Sequence, residues 1–270
     1  MTDKHFPIEE IAKFPPPGMA MPVSYAFSPD DKLVTYLHGP DQSPVRQLYA
    51  LDVESGETRV VLSSLEGQDE ELSIEEALRR QRLRLLGQGI TRYAWSEQGS
   101  GILLPGQNAV HVMDDSDSPA RKIVDGNGRS ILDPQLSRQG DQIAYVQDAE
   151  VYVASVERGE SRQITSGARG TGKTNGLAEY IAQEEMGRSS GFWWSRDGRR
   201  IAFEEADETH IPVYRIVHQG KDEVDVEQHR YPFAGTPNAY VELGVIDVET
   251  RQTRWMDLGQ ERDIYLARVA

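Results

Sequence analysis

Short apolar runs separated by polar turns recur along the chain, and four stretches share one layout. In the first, Phe27-Ser28-Pro29-Asp30-Asp31 leads into the apolar residues 33–37, then residues 48–53 and the turn Glu54-Ser55-Gly56. Trp95-Ser96-Glu97-Gln98-Gly99 opens the second, with apolar residues 101–104 and 109–112. Leu136-Ser137-Arg138-Gln139-Gly140 opens the third, with 142–146 and 151–156. Trp194-Ser195-Arg196-Asp197-Gly198 opens the fourth, with 200–203 and a closing run at 241–248. The serines at 28, 96, 137 and 195 have a mean spacing of about 56 residues.

Apolar strands broken by Asp-Gly-type turns are hairpin chemistry. Four short antiparallel strands per repeat of this length predict β-propeller blades, each burying its faces on its neighbours. The expected fold is therefore all-β: a partial β-propeller of about four blades over residues 21–270, preceded by an N-terminal extension, 1–20. Residues 263–270 read as the opening strand of a fifth unit. A closed ring needs its last blade against its first, so the expectation is a fragment of a longer propeller.

Two segments break the period with helical spacing. Ser73-Ile74-Glu75-Glu76 is a capping box, and Ile74, Ala77, Leu78 and Leu85 then share a face. Arg79, Arg80, Arg82 and Arg84 surround that face. They fit either a solvated surface or a guanidinium offered to a carbonyl or carboxylate in a cleft. The second helix is expected over 177–186, where Leu177, Tyr180, Ile181 and Glu184 form a stripe with Glu185 on its shoulder. Two acids leaning towards an apolar side are costly unless a cation sits between them. A solvated Glu pair and an amine or cation site both stay open.

Composition narrows the function. With 29 Lys and Arg against 44 Asp and Glu, the net charge of −15 argues against nucleic acid as a partner and favours cationic ones. With no cysteine, thiol nucleophiles, disulfides and Cys-ligated zinc are excluded. No apolar run approaches membrane-spanning length, so no membrane partner is expected, and the first residues lack the apolar core of a signal peptide. Cytoplasm and periplasm both stay open as compartments. The six histidines show no metal-ligand spacing, so no metal or cofactor is expected.

Two catalytic motifs match by letter only. Gly167-Ala168-Arg169-Gly170-Thr171-Gly172-Lys173-Thr174 fits the phosphate-loop pattern, with Lys173 and Thr174 in the phosphate and Mg²⁺ positions. The run before it, 151–156 and then 162–165, reads as an antiparallel hairpin where a buried parallel strand is required, so a Gly-rich connection is expected. Gly187-Arg188-Ser189-Ser190-Gly191 fits the nucleophile elbow, but a helix precedes it and a strand follows, the reverse of the required order. Ser189 is not expected to be a nucleophile.

Asn175-Gly176-Leu177-Ala178-Glu179-Tyr180, Gln183-Glu184-Glu185-Met186-Gly187-Arg188 and Gly191-Phe192-Trp193-Trp194-Ser195 resemble the propeller domain of the dipeptidyl peptidase IV group of prolyl oligopeptidases. Glu208-Thr209-His210-Ile211-Pro212 and Tyr231-Pro232-Phe233-Ala234-Gly235-Thr236-Pro237-Asn238 extend it. So does Arg80-Gln81-Arg82-Leu83-Arg84 with Gly89-Ile90-Thr91-Arg92-Tyr93, which is similar to the arginine-bearing segment of that group.

The resemblance implies that Glu184 and Glu185 bind the free α-amino group of a peptide. It also implies that an arginine, first Arg80 with Arg82 and Arg84 as alternatives, contacts a substrate carbonyl. The parent would be a serine exopeptidase releasing X-Pro or X-Ala dipeptides, with its Ser-Asp-His triad in a C-terminal α/β-hydrolase domain absent from these 270 residues. On that reading the partners are peptides with a free N-terminus and the hydrolase domain, and a homodimer of the parent stays open. This chain alone should be inactive. The competing reading is a non-enzymatic β-propeller interaction module that shares only the repeat.

Overall fold

The structure, a computed structural model, describes residues 7–12, 21–65, 80, 87–218 and 225–269. It falls into two compact units, the first holding β1–β9 and the second β10–β20. Both are built from antiparallel blades, and the chain is a partial β-propeller. A four-residue helix, Ile8–Ile11, lies in the N-terminal extension.

In the first unit, β1 (Val23–Phe27), β2 (Leu33–His38), β3 (Val45–Asp52) and β4 (Thr58–Leu62) pair in sequence order. The short strand β5 (Gln88–Gly89) adds to the start of β3 in parallel. The next sheet is β6 (Ala94–Trp95), β7 (Ile102–Pro105), β8 (Ala109–Met113) and β9 (Arg121–Asp125), again in order. Leu37, Leu48, Ile90, Ile102, Leu104 and Met113 form one buried cluster between these sheets. Thr35, fully buried, accepts hydrogen bonds from Tyr93 Oη at 2.9 Å and Trp95 Nε1 at 2.8 Å, so the polar atoms at this contact are paired.

The second unit opens with β10 (Leu132–Leu136), β11 (Gln142–Gln147), β12 (Glu150–Ser155) and β13 (Ser161–Gln163), also in order. Its other sheet comprises β14 (Lys173–Asn175), β15 (Phe192–Trp194), β16 (Arg200–Asp207), a projecting hairpin of β17 (Val213–His218) and β18 (Asp225–Arg230), then β19 (Tyr240–Asp247) and β20 (Thr253–Trp255). Ala144, Val146, Val151 and Val153 from one sheet bury against Phe192, Ile201, Phe203 and Ile246 from the other. At roughly 25 cal/mol per Å² of apolar surface, this face-to-face burial is the main force holding blades together.

The repeating serine has a structural cause. Ser28, Ser96, Ser137 and Ser195 each donate the backbone N–H to the carbonyl five residues on, at 2.8–2.9 Å. In three of them the hydroxyl also accepts from the N–H at that position: Leu33 at 2.9 Å, Gln142 at 3.2 Å and Arg200 at 2.9 Å. One small side chain thus closes the first hairpin of each blade. Asp30 and Asp197 accept from the serine hydroxyls, which holds their carboxyls below the ordinary range.

Two expectations are corrected here, and one further element is new. Residues 263–269 form no strand; their intermediate-exposed pattern at Ile264 and Leu266 gave a strand-like alternation, but no neighbouring strand hydrogen-bonds them among the described residues. The β17–β18 hairpin was not foreseen; its apolar residues Val213, Tyr214 and Val217 are exposed, so burial did not mark it. The second helix is Tyr180–Glu184, much shorter than 177–186. The first helical segment, 73–86, lies outside the described residues except for Arg80, which is helical. No helix of the described residues is long and apolar enough to cross a membrane.

Candidate functional site

The first strand of the last blade is split in two. β15 pairs with the first half of β16 (Phe192 with Phe203) and β14 with the second half (Asn175 with Glu205), both antiparallel. Between them the chain leaves the sheet over residues 176–191. In the first and third blades the corresponding strands only shift register, between Val23 and Ala26 and between Leu132 and Gln135. The last blade thus converts a small irregularity into an excursion, and that excursion carries Glu184 and Glu185.

The neck of the excursion closes on Glu204. Its carbonyl accepts from Gly176 N–H and its N–H donates to the Gly191 carbonyl, both at 2.8 Å. Leu177 and Ser190 form a further antiparallel bridge across the neck. The strands approach so closely that a Cβ on Gly191 would lie 2.3 Å from the Leu177 carbonyl carbon. Gly176, at φ +82°, has Val151 Cγ2 where its Cβ would be, 2.5 Å away. Only glycine fits at either position.

Above the neck stands the short helix. Glu179 is its N-cap, and the carboxylate accepts from Ile181 N–H at 2.6 Å and Ala182 N–H at 2.7 Å. At the other end Glu185 N–H donates to Ile181 O and Arg188 N–H to Ala182 O, both at 2.9 Å. The Arg188 guanidinium turns back underneath. Nη2 lies 2.7 Å from Glu204 Oε2, Nη1 donates to Ser190 O at 2.9 Å, and Cζ sits 5.7 Å from the Trp193 ring centre. Glu204 Oε1 accepts from Glu179 N–H at 3.2 Å. Glu204 is fully buried, and the Arg188 side chain is only 5% exposed.

Burial dominates the electrostatics of this cluster. It pushes the Glu204 carboxyl up to about 7, against the pull of Arg188. It raises Glu179 as well, against the two N–H groups that its carboxylate caps. Two buried acids share one buried guanidinium beneath the helix.

Glu184 and Glu185 end the helix and are both exposed. The expectation that they lean towards the apolar side is therefore corrected: with the helix starting at Tyr180, Ala182 is its buried residue and the two acids face outward. Adjacent exposed carboxylates repel each other weakly in water and can converge on a cation without first being desolvated. Arg80 is half-buried and belongs to the first unit, the acid pair to the second. Arg82 and Arg84 lie outside the described residues.

Both letter-only motifs have structural explanations. Lys173 and Thr174 lie in β14, antiparallel to β16, so no helix follows the Gly-rich loop. Lys173 Nζ is 2.7 Å from Glu205 and 3.7 Å from Asp207, and its hydrogen bond to Glu205 raises its pKa. The loop instead wraps an internal anion. Buried Glu150 accepts from Ala168 N–H (2.7 Å), Arg169 N–H (3.3 Å), Thr165 Oγ1 (2.7 Å) and Asn175 Nδ2 (2.9 Å). A carboxylate of this chain occupies the ring of donors that a phosphate would need. Ser189 follows the short helix and leads into strand β15, which is followed by another strand and not by a helix, and Gly191 is required by the neck.

Sequence reasoning missed Glu150, Glu179, Arg188 and Glu204 as organising residues. Glu204 alone left a trace: in Ala202-Phe203-Glu204-Glu205-Ala206 it alternates with alanines, where a solvated face carries longer polar residues.

Comparison with known proteins agrees with this architecture. Human dipeptidyl peptidase 8 is 27% identical over 201 residues, covering 65% of this chain and 22% of that protein. A probable dipeptidyl-aminopeptidase B of Talaromyces marneffei is 30% identical over 129 residues, covering 43% of this chain and 14% of its own length. The chain thus spans about a fifth or less of these relatives. In fold, it superposes on Porphyromonas gingivalis dipeptidyl peptidase 4 with a TM-score of 0.69 and 21% identity, over 93% of this chain and 35% of that one. Residues 104–270, more than half of the sequence, match the dipeptidyl peptidase IV (DPP IV) N-terminal region, and the chain belongs to that family.

Proposed function

We propose that this chain is the gating and N-terminus-anchoring propeller part of a serine exopeptidase that releases X-Pro or X-Ala dipeptides. Glu184 and Glu185 receive the α-ammonium of the peptide. The observation that carries the reading is the adjacent, exposed acid pair on a helix fixed from below by buried charges. Two carboxylates around one ammonium give charge-assisted hydrogen bonds, and a longer N-terminal extension would collide with the excursion. The net charge of −15 favours approach of a cationic terminus.

In this reading the chain positions and selects, while bond cleavage belongs to a Ser-Asp-His triad in a C-terminal α/β-hydrolase domain of the same protein. Holding the amine at a fixed distance from the nucleophile sets the product length at two residues. The test is to incubate the full-length protein with a Val-Pro-initiated peptide and its N-acetyl form, and to identify products by mass spectrometry. Release of Val-Pro from the free peptide alone supports the reading. Binding without cleavage of either would favour the non-enzymatic module, and equal cleavage of both would remove the amine anchor.

A further inference from the structure

The acid pair owes its placement to groups that a substrate would never touch. Four contacts from the excursion to the sheet meet on β16 at Glu204. Its backbone holds both ends of the neck, and its side chain holds Glu179 N–H and the Arg188 guanidinium. Arg188 in turn fixes the exit of the helix, through Ala182 O by its backbone and Ser190 O by its side chain. The carboxylates that would bind an amine therefore sit on a five-residue helix clamped at its N-terminus by Glu179 and at its C-terminus by Arg188. A helix this short has almost no stability of its own. Its orientation is set by the clamp.

We propose that Arg188 and Glu204 are positioning residues for the Glu184–Glu185 pair, holding both carboxylates in the orientation that receives a peptide ammonium. The inference rests on the amine-anchor reading above and extends it to two buried residues. Replacing a buried ion pair by apolar or neutral groups of similar size often leaves stability intact. Stability alone therefore gives no reason to keep these charges here, whereas a fixed orientation does.

The same geometry couples anchoring to pH. The charged groups acting on Glu204 are Arg188 and Glu179 from the excursion. On the other sides, Lys173 of β14 and Glu242 of β19 face the neighbouring Glu205 instead. Protonating Glu204 removes the counter-charge of Arg188, which frees the clamp and leaves an extra positive charge below the site. Both changes weaken the hold on an ammonium. Anchoring should therefore strengthen as pH rises through the Glu204 titration near 7.

The experiment is a ligand-observed NMR titration of the 270-residue chain with Val-Pro amide and its N-acetyl form. It compares the wild type, Arg188→Met, Glu204→Gln and the double variant, with each Kd corrected for the measured amine pKa of the probe. Thermal melting runs in parallel. Expected is a loss of about tenfold or more in free-amine affinity in every variant, including a double variant that melts like wild type. The wild-type pH dependence near neutrality should be absent once Glu204 is Gln. If a normally melting double variant binds the free amine as wild type does, or if Glu204→Gln keeps the pH dependence, the positioning role is overturned and the amine anchor stands. If wild type does not distinguish the free from the acetylated probe, the anchor falls and the positioning role falls with it.

Discussion

Gly191 passes Leu177 so closely that an added Cβ would stand 2.3 Å from the Leu177 carbonyl carbon and 2.5 Å from its nitrogen. The obstruction is backbone, which cannot swing aside like the end of a side chain. Gly191→Ala should therefore force the neck of the excursion apart and cost at least about 1–3 kcal/mol, the usual range for overpacking. Urea unfolding checks this, and a midpoint equal to wild type would contradict it.

Glu150 makes the opposite kind of prediction, since its worth lies in hydrogen bonds made. Glu150→Ala strands two backbone N–H groups and the Thr165 and Asn175 donors in a buried site. Each bond to a charged acceptor is worth about 1.5–3 kcal/mol, so the loss should rank among the largest of any single polar change in this unit. Hydrogen exchange should accelerate at Ala168 and Arg169. Lys173→Ala removes a partly exposed ion pair and should cost no more than about 1 kcal/mol. A larger effect at Lys173 than at Glu150 would reverse the assignment of the loop as internally filled.

Stability should also depend on pH through Glu204. Its folded pKa, about 7, stands above the ordinary 4.5, so between those values the folded state binds more protons than the unfolded one. Stability from this group is therefore greatest below the lower value and falls as pH rises through 7. A shift of this size corresponds to about 3 kcal/mol across the window. The wild type should lose stability relative to Glu204→Gln as pH rises from about 5 to 8. Parallel curves for the two proteins would contradict the buried acid.

Ser189→Ala should change stability by no more than about 0.5 kcal/mol, as for an ordinary substitution outside the core. The 270-residue chain should hydrolyse a Gly-Pro chromogenic amide no faster than background with either residue. Turnover that the substitution abolishes would restore Ser189 as a nucleophile.

The blades were legible because a repeat reports the same constraint four times. Ser28, Ser96, Ser137 and Ser195 close equivalent hairpins, and the apolar residues after them bury against a neighbouring sheet. The acid pair was legible through its family-like block, but its direction was not. Helical periodicity assumed a helix from 177, whereas the neck bridge between Leu177 and Ser190 postpones the first turn to Tyr180. Arg188 and Glu204 were hidden for another reason. A charged residue reads as solvated until its partner is known, and here Arg188 lies in the excursion while Glu204 lies in β16.

The central claim is that Glu184 and Glu185 hold a peptide ammonium, and the most direct measurement is kcat/KM of the full-length protein on free and N-acetylated Val-Pro substrates, with Glu184→Ala and Glu185→Ala. Losing a charge-assisted hydrogen bond to the ammonium costs about 1.5–3 kcal/mol, a loss of about one to two decades. That loss should fall on the free substrate, with the acetylated one already poor and barely changed. Equal losses on both substrates, or none on either, would contradict the account.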